Sequence, residues 1–440
     1  MSNASDAATR AQPPTLFRWT VLVMVSLAMA GNYYVYDSIS PLADLLRDQL
    51  GLSDDRIGTL NGIYSVPNIF MVAIGGLIID RIGTRRATLI FGALCSLGAL
   101  ITALTTNFFV MAAGRLVFGL GAESMIVAVT TALAIWFRGK ELSFAFGVNL
   151  TIARLGSFAA LNSPTWAKAL YAQYQWPLWI AVGIGSLCVV GPLLYWGMER
   201  GAARRYDLGV ASEPDKIVFR EIFNFGRSYW FVVALCVTFY SAMFPFQTFA
   251  VKFFQDVHGV SRDSGGFLSS MLTLFAMICT PLFGLAADRF GKRATLMLAG
   301  SALIIPVYLV MAYTRIPLYL PMAAMGIAFS LIPAVMWPSV AYIVDQRKLG
   351  TALGVMTMVQ NIGLAGYNFL IGWANTHWNA SAENPAGYVP GMWMFTCLGV
   401  LALFFALLLR LSETGANARG LETITTRSSA EPAAGVVGQT

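Results

Sequence analysis

The chain has 440 residues, of which 57% are hydrophobic and only 12% charged, against roughly 25% charged residues in an ordinary soluble domain. Its apolar residues fall in repeated runs of about 20 or more, the length that crosses a hydrocarbon core of about 30 Å as a helix, so the composition points to a membrane protein and away from a soluble one. The net charge of +7 would suit a nucleic-acid partner, but the basic residues collect on alternate loops, and the five cysteines are odd in number and lie within apolar segments, which argues against a disulfide framework.

Backbone groups in lipid must pair internally, so the apolar runs are read as helices. Residues 1–16 form a polar tail without an apolar core and cleavage site, so no removable signal peptide is expected and the first span acts as the insertion signal. Six spans follow near 17–46, 56–79, 86–105, 108–137, 141–168 and 175–198, making a first half over 17–199. A charged stretch at 200–222 is a solvated linker. Six more spans lie near 224–256, 264–287, 294–313, 316–345, 349–376 and 389–411, a second half over 223–412. The end, 413–440, is rich in small and polar residues without apolar periodicity, and disorder is expected there.

Positive residues are retained on the cytoplasmic side of a membrane. The even loops and both termini carry 21 of the Lys and Arg residues and the odd loops 5, which places both termini in the cytoplasm.

The stretch from Gly76 to Arg85, with Asp80, Arg81 and Gly83, recurs 208 residues later from Gly284 to Arg293, with Asp288, Arg289 and Gly291. Both copies follow the second span of their half, as duplication of a six-helix unit requires. The pattern resembles the loop signature of the major facilitator superfamily. That resemblance implies an all-α membrane fold of 12 transmembrane helices in two six-helix halves related by a pseudo-twofold axis. Glycine allows helices to approach closely, while Asp80, Arg81, Arg85, Asp288, Arg289 and Arg293 can meet helix ends or carboxylates. Such contacts would latch the two halves at the cytoplasmic side; a topology signal with a tight turn is the plainer alternative.

A charge deep in a span costs about 2.5–3.5 kcal/mol on insertion scales and usually faces a cavity or a partner. Five residues qualify: Asp37 in span one, Arg115 and Glu123 in span four, Arg154 in span five and Lys252 in span seven. Glu123 and Arg154 lie about 14 residues, roughly 20 Å, from the cytoplasmic ends of their helices, near the midplane. They either pair with each other or face a cavity and bind a solute carrying both an amine and a carboxylate. The superfamily resemblance, in which spans one, four, seven and ten line the central cavity, favours binding. Arg115 stands in Gly114-Arg115-Leu116-Val117-Phe118-Gly119, similar to the family's span-four arginine motif, with a gating or structural role. Asp37 and Lys252, toward the outer ends of spans one and seven, are candidates for an outer gate, and Lys252 alternatively snorkels to the interface.

Further stretches are similar to one branch of the superfamily, the lysosomal dipeptide uniporters. They are Tyr36-Asp37, Gly114 to Ser124, Trp136 to Leu142 with Ala153 to Ser157, Phe244-Pro245-Phe246, and Trp337-Pro338 with Leu349 to Thr351 and Gln360 to Ala365. The resemblance implies that Glu123 and Arg154 hold the amino and carboxyl termini of a dipeptide and that transport is facilitated diffusion; Tyr36, Asp37, Lys252, Trp337 and Asn361 are further candidate binding residues. The N-terminus shows no acidic dileucine sorting signal, so a cell membrane is expected, with the lysosomal membrane the alternative. An organic anion carrier clamping its substrate between Arg154 and Lys252 is the competing reading, and a transport-dead receptor a more distant one. Both histidines, His258 and His377, fall near outer loops, so any proton coupling would rest on Glu123 or Asp37. No nucleotide loop and no nucleophile–base constellation occurs, so neither cofactor, metal nor enzymatic activity is expected. The expected partners are the bilayer and a small solute, not nucleic acid, in a monomer or homodimer with an accessory subunit left open.

Overall fold

A computed structural model describes residues 13–137, 141–202, 206, 225–345, 348–415 and 418–424. Most of the charged linker, the Arg138–Lys140 part of the span-four loop and residues 425–440 of the tail therefore lie outside the described residues. Among the described residues, twelve helices are long and apolar enough to cross a membrane: α1 (Thr15–Leu50), α2 (Asp54–Ile82), α3 (Thr84–Ala103), α4 (Phe108–Trp136), α5 (Phe144–Leu161), α6 (Gln175–Ala202), α7 (Arg227–His258), α8 (Arg262–Phe290), α9 (Arg293–Tyr313), α10 (Tyr319–Ile343), α11 (Leu349–His377) and α12 (Pro385–Thr414). No strand occurs among the described residues. The two sets of six bracket the linker, as the repeat requires.

Among the described residues four expected helices are not continuous; one is divided by a single turn residue, Ser186, between Gln175–Gly185 and Leu187–Ala202 of α6, and the other three breaks have a proline behind them. In α1 the helix Thr15–Asp37 gives way to a 3-10 turn, Ser40–Leu42, before Ala43–Leu50 resumes. Pro41 offers no N–H to the Asp37 carbonyl. In α2 the segments Asp54–Gly62 and Ser65–Ile82 are separated at Ile63 and Tyr64, where Pro67 withholds the N–H that Ile63 would receive. The expected fifth span reached residue 168, but the helix stops at Leu161 because Pro164 cannot pair with the Ala160 carbonyl; the Ser163 hydroxyl donates to that carbonyl at 2.5 Å instead.

Helix ends opposite the chain termini are drawn tightly together across the two halves. A methyl group added to Gly58 or Gly62 of α2 would run into the backbone of α11, and one on Gly372 of α11 would meet the Asp54 carbonyl oxygen at 2.5 Å and Asp55 Cα at 3.0 Å. Such close approach needs glycine. On the opposite flank, Gly266 of α8 rests on the Leu161 carbonyl and Pro164.

The duplicated loops are used differently from expectation. Gly76 and Gly284 face open space and bring no helices together, whereas Gly83 and Gly291 adopt φ of +79° and +67°, a turn conformation suited to glycine. Arg293 is buried and pairs with Asp288 at 2.9 Å, within its own half, and its guanidinium lies 4.5 Å from the Tyr342 ring centre. Arg85 covers Trp196 at 5.4 Å, also within its half. Asp80, Arg81 and Arg289 are exposed. These contacts are internal to each half in this conformation.

Part of the C-terminal stretch expected to be disordered is docked. The Lys292 and Arg293 N–H groups donate to the carbonyls of Glu422 and Leu421, and Leu421 is fully buried. The Glu422 carboxylate accepts from the N–H and hydroxyl of Thr295, at 2.7 and 2.8 Å. This caps the orphan donors of the first turn of α9 with a negative charge at its positive end. Local composition held no sign of it, since the partners are about 130 residues away.

The glycine contacts yield a first prediction. Gly372→Val forces α2 and α11 apart at this end. On a background lacking the native cysteines, a Thr376→Cys probe should react faster with a membrane-impermeant maleimide when Gly372→Val is added, and an unchanged rate would show that the glycine contact does not hold the closure.

Candidate functional site

A cavity of about 310 Å³ lies between the halves, at the lower end of the size range of small-molecule sites. Both candidate charges line it, Glu123 from α4 and Arg154 from α5. Among the described residues they form no ion pair with each other or with any other side chain within 4 Å. The Arg154 guanidinium instead lies 5.6 Å from the centre of the Tyr33 ring and 5.3 Å from that of Phe329, a residue of the opposite half. Cation–π contacts leave its N–H donors free in the plane of the group. Glu123 has the Asn361 amide beside it.

The opposite half contributes an aromatic and amide wall. Tyr240 and Phe244 of α7 stack at 5.6 Å, and Trp337 of α10 donates its indole N–H to the Tyr240 hydroxyl at 3.0 Å. Thr357 and Gln360 complete the wall from α11. Tyr36 lies 4.8 Å from Tyr64 and 6.0 Å from Phe244, ring centre to ring centre, so these three rings close one end of the cavity.

The sequence-derived residues are thus divided. Glu123, Arg154, Tyr36 and Trp337 line the cavity. Asn361 is buried behind its wall, with its amide N–H₂ donating to the Thr357 carbonyl at 3.0 Å. Asp37 sits beyond the aromatic layer in a separate small polar pocket, facing Ser157 and within electrostatic reach of Arg154 and Arg115. Lys252 lies outside both pockets: its ammonium is 2.7 Å from Asp54 and 3.7 Å from Asp256, and donates to the Tyr388 hydroxyl at 2.8 Å. Neither the gate pairing Lys252 with Asp37 nor the snorkelling position nor the anion clamp with Arg154 describes it. Asp37 ends the first segment of α1 and lies in the separate polar pocket, whereas Asp54, at the start of α2, is the carboxylate that meets Lys252 of α7.

Lys252–Asp54 belongs to a polar seal across the halves that sequence reading missed. Arg262 donates to Asp44 at 2.5 and 2.8 Å and to the Tyr171 carbonyl at 3.2 Å, Gln255 donates to Asp44 at 2.9 Å, and Lys168 pairs with Asp263 at 3.1 Å. Asp44 and Asp54 sit beside helix ends, where charges are ordinarily solvated, and nothing local distinguishes them. Asn32 and Asn68 were also missed as cavity residues, although polar amides inside apolar spans were a usable signal.

Arg115 does not reach the cavity. It is buried and donates through Nε to the Leu60 carbonyl at 3.1 Å and through Nη1 and Nη2 to the Val35 and Tyr36 carbonyls at 2.8 and 3.0 Å. These are the carbonyls that the breaks in α1 and α2 release from helical pairing, and the guanidinium supplies the donors they lost. Its ring neighbours Tyr64 and Phe118 lie at 5.4 and 5.1 Å.

Two six-helix halves around a polar central cavity, sealed at one end, define a membrane transporter, and the chain belongs to the major facilitator superfamily: the family's pattern matches residues 25–265 and 231–435. Among curated proteins it is similar to the lysosomal dipeptide transporter MFSD1 of Homo sapiens, 30% identical over 373 residues that cover 81% of this chain and 79% of that protein. It is likewise similar to the MFSD1 of Mus musculus, 32% identical over 371 residues with the same coverage. Among solved structures, a bacterial homologue of the human lysosomal transporter Spinster, in an inward-facing and unoccupied conformation, shares the fold with a TM-score of 0.73 at 17% identity, over 91% of this chain and 98% of that one.

Two predictions follow from the buried charges. Arg115→Met leaves the Leu60 and Tyr36 carbonyls without a donor, while Val35 keeps the Ser38 hydroxyl at 2.8 Å; at roughly 1–3 kcal/mol for each buried unpaired group it should lower the thermal unfolding midpoint of the purified protein by several degrees, and an unchanged midpoint would exclude the pinning role. Lys252→Met leaves Asp54 as an uncompensated buried charge, a loss of about 3–5 kcal/mol in this conformation. It should therefore raise the reactivity of cysteines placed in the seal toward impermeant maleimide, while Lys252→Arg should raise it less.

Proposed function

We propose that the protein carries dipeptides across its membrane by alternating access, with the substrate's ammonium group at Glu123 and its carboxylate at Arg154. The observation that carries the reading is the pair of unpaired opposite charges on one cavity of about 310 Å³. Each charge lacks an ionic partner, and a zwitterion of suitable length supplies both partners at once. A free anion or a free amine would supply only one. The name of the MFSD1 relatives, lysosomal dipeptide transporter, supports the same substrate class.

The spacing between Glu123 and Arg154 sets the length of the accepted zwitterion, and the aromatic and amide wall accommodates its side chains. With both termini in the cytoplasm, the sealed end faces outward and this conformation receives substrate from the cytoplasmic side. Opening the outer end separates the Lys252–Asp54 and Arg262–Asp44 pairs. In that opposite state the duplicated loop residues Asp80, Arg81, Arg85, Asp288, Arg289 and Arg293 latch the cytoplasmic ends. No ion gradient enters this scheme, so the transport is uniport.

Reconstitution tests it. Counterflow of a labelled dipeptide should fall by about 10- to 100-fold in Glu123→Gln and in Arg154→Met, the range for a lost charge-assisted hydrogen bond of about 1.5–3 kcal/mol. N-acetylated dipeptide should compete poorly against the wild type but as well as the free dipeptide against Glu123→Gln. Wild-type counterflow in both variants would refute the assignment.

A further inference from the structure

Asn68 lies on α2 one helical turn after Tyr64, so the two side chains share a face, and both line the cavity. The residue is 1% exposed, yet neither its Oδ1 nor its Nδ2 has a hydrogen-bond partner. Buried amides are ordinarily satisfied, and leaving one open on both sides is costly. Other amides near the cavity illustrate the rule: Asn32 donates to the Ala122 carbonyl at 3.2 Å, and Asn361 donates to Thr357. Asn68 alone among these carries two unused polar groups in the wall of the space a substrate would fill.

Its position is held by the packing of α2 on α4. Gly119 of α4 abuts the Tyr64 carbonyl, and Gly75 of α2 abuts the Ser124 hydroxyl, next to Glu123. Asn68 lies between these two approaches, on the helix beside the one that carries Glu123. It therefore attends the end of the cavity assigned to the substrate's ammonium group.

We infer that Asn68 recognises the first residue of the dipeptide: Nδ2 donates to the peptide carbonyl and Oδ1 accepts from the ammonium group. In an extended chain the nitrogen and carbonyl of one residue point to the same side, and a planar carboxamide presents a donor and an acceptor at matching separation, as a neighbouring strand does. Asn68 is thus a specificity residue for the peptide carbonyl, separating dipeptides from other zwitterions of equal length. This rests on the dipeptide reading above.

The test compares three ligands on the purified full chain by calorimetry: a dipeptide; its ester analogue, which keeps the carbonyl and loses the internal N–H; and its trans-alkene isostere, which keeps the charged ends and loses the carbonyl. The wild type should bind dipeptide and ester within about 3-fold of each other and the alkene about 10-fold more weakly. In Asn68→Leu, a near-isosteric apolar change, all three ligands lose the ammonium contact, but dipeptide and ester also lose the carbonyl contact and should weaken about 10-fold more than the alkene, so that all three bind alike. Asn68→Ala provides the same comparison should the leucine variant fail to fold. A preference for dipeptide over alkene that survives in the folded variant overturns the role of Asn68 and leaves the substrate class standing. Absence of dipeptide binding by the wild type overturns both.

Discussion

In a bilayer every backbone carbonyl needs a donor, and a helix that breaks within the membrane must find one from a side chain. Arg115 meets that need here. Its guanidinium reaches the carbonyls of Val35, Tyr36 and Leu60, released where α1 and α2 are interrupted. Tyr36, beside the first interruption, and Tyr64, at the second, are two of the three rings that close the cavity, and Asp37 lies beyond them in a separate pocket. A fixed cation with donors in one plane lets two non-helical segments lie side by side in lipid, and the cavity's shape follows from it.

The remaining buried charges show how the molecule separates structure from function. Lys252 and Asp54, both almost fully buried, neutralise each other across the halves at 2.7 Å, and Arg262 with Asp44 does the same nearby. Arg115 is satisfied by carbonyls. Glu123 and Arg154 have neither arrangement and face the cavity. Since an unpaired charge in a membrane is costly, two such charges on one cavity are most simply explained by a ligand that completes them.

Glu123 and Arg154 both belong to the first half, while the wall opposite is aromatic and amide. On the proposed reading, a substrate held by the first half's charges would face Tyr240, Phe244 and Trp337 of the second half. Arg154 already makes such a contact through the Phe329 ring. Stacking contacts are short-ranged but weakly directional, which suits a wall that must leave and rejoin the ligand as the halves rock.

The sequence by itself determined the twelve spans, the two halves and the two charges at the cavity, because apolar run length, a 208-residue repeat and the expense of charge in lipid are all local or periodic signals. The prolines behind the helix breaks were equally visible, but their consequences were not. Only the tertiary structure decided that Lys252 pairs with Asp54 instead of Asp37, that Arg115 serves carbonyls, that Asn68 keeps an unpaired amide in the cavity wall, and that Glu422 caps α9. Each depends on which groups from distant helices meet at one depth and one face, a matter of helix rotation and register that a linear pattern of hydrophobicity and charge does not encode.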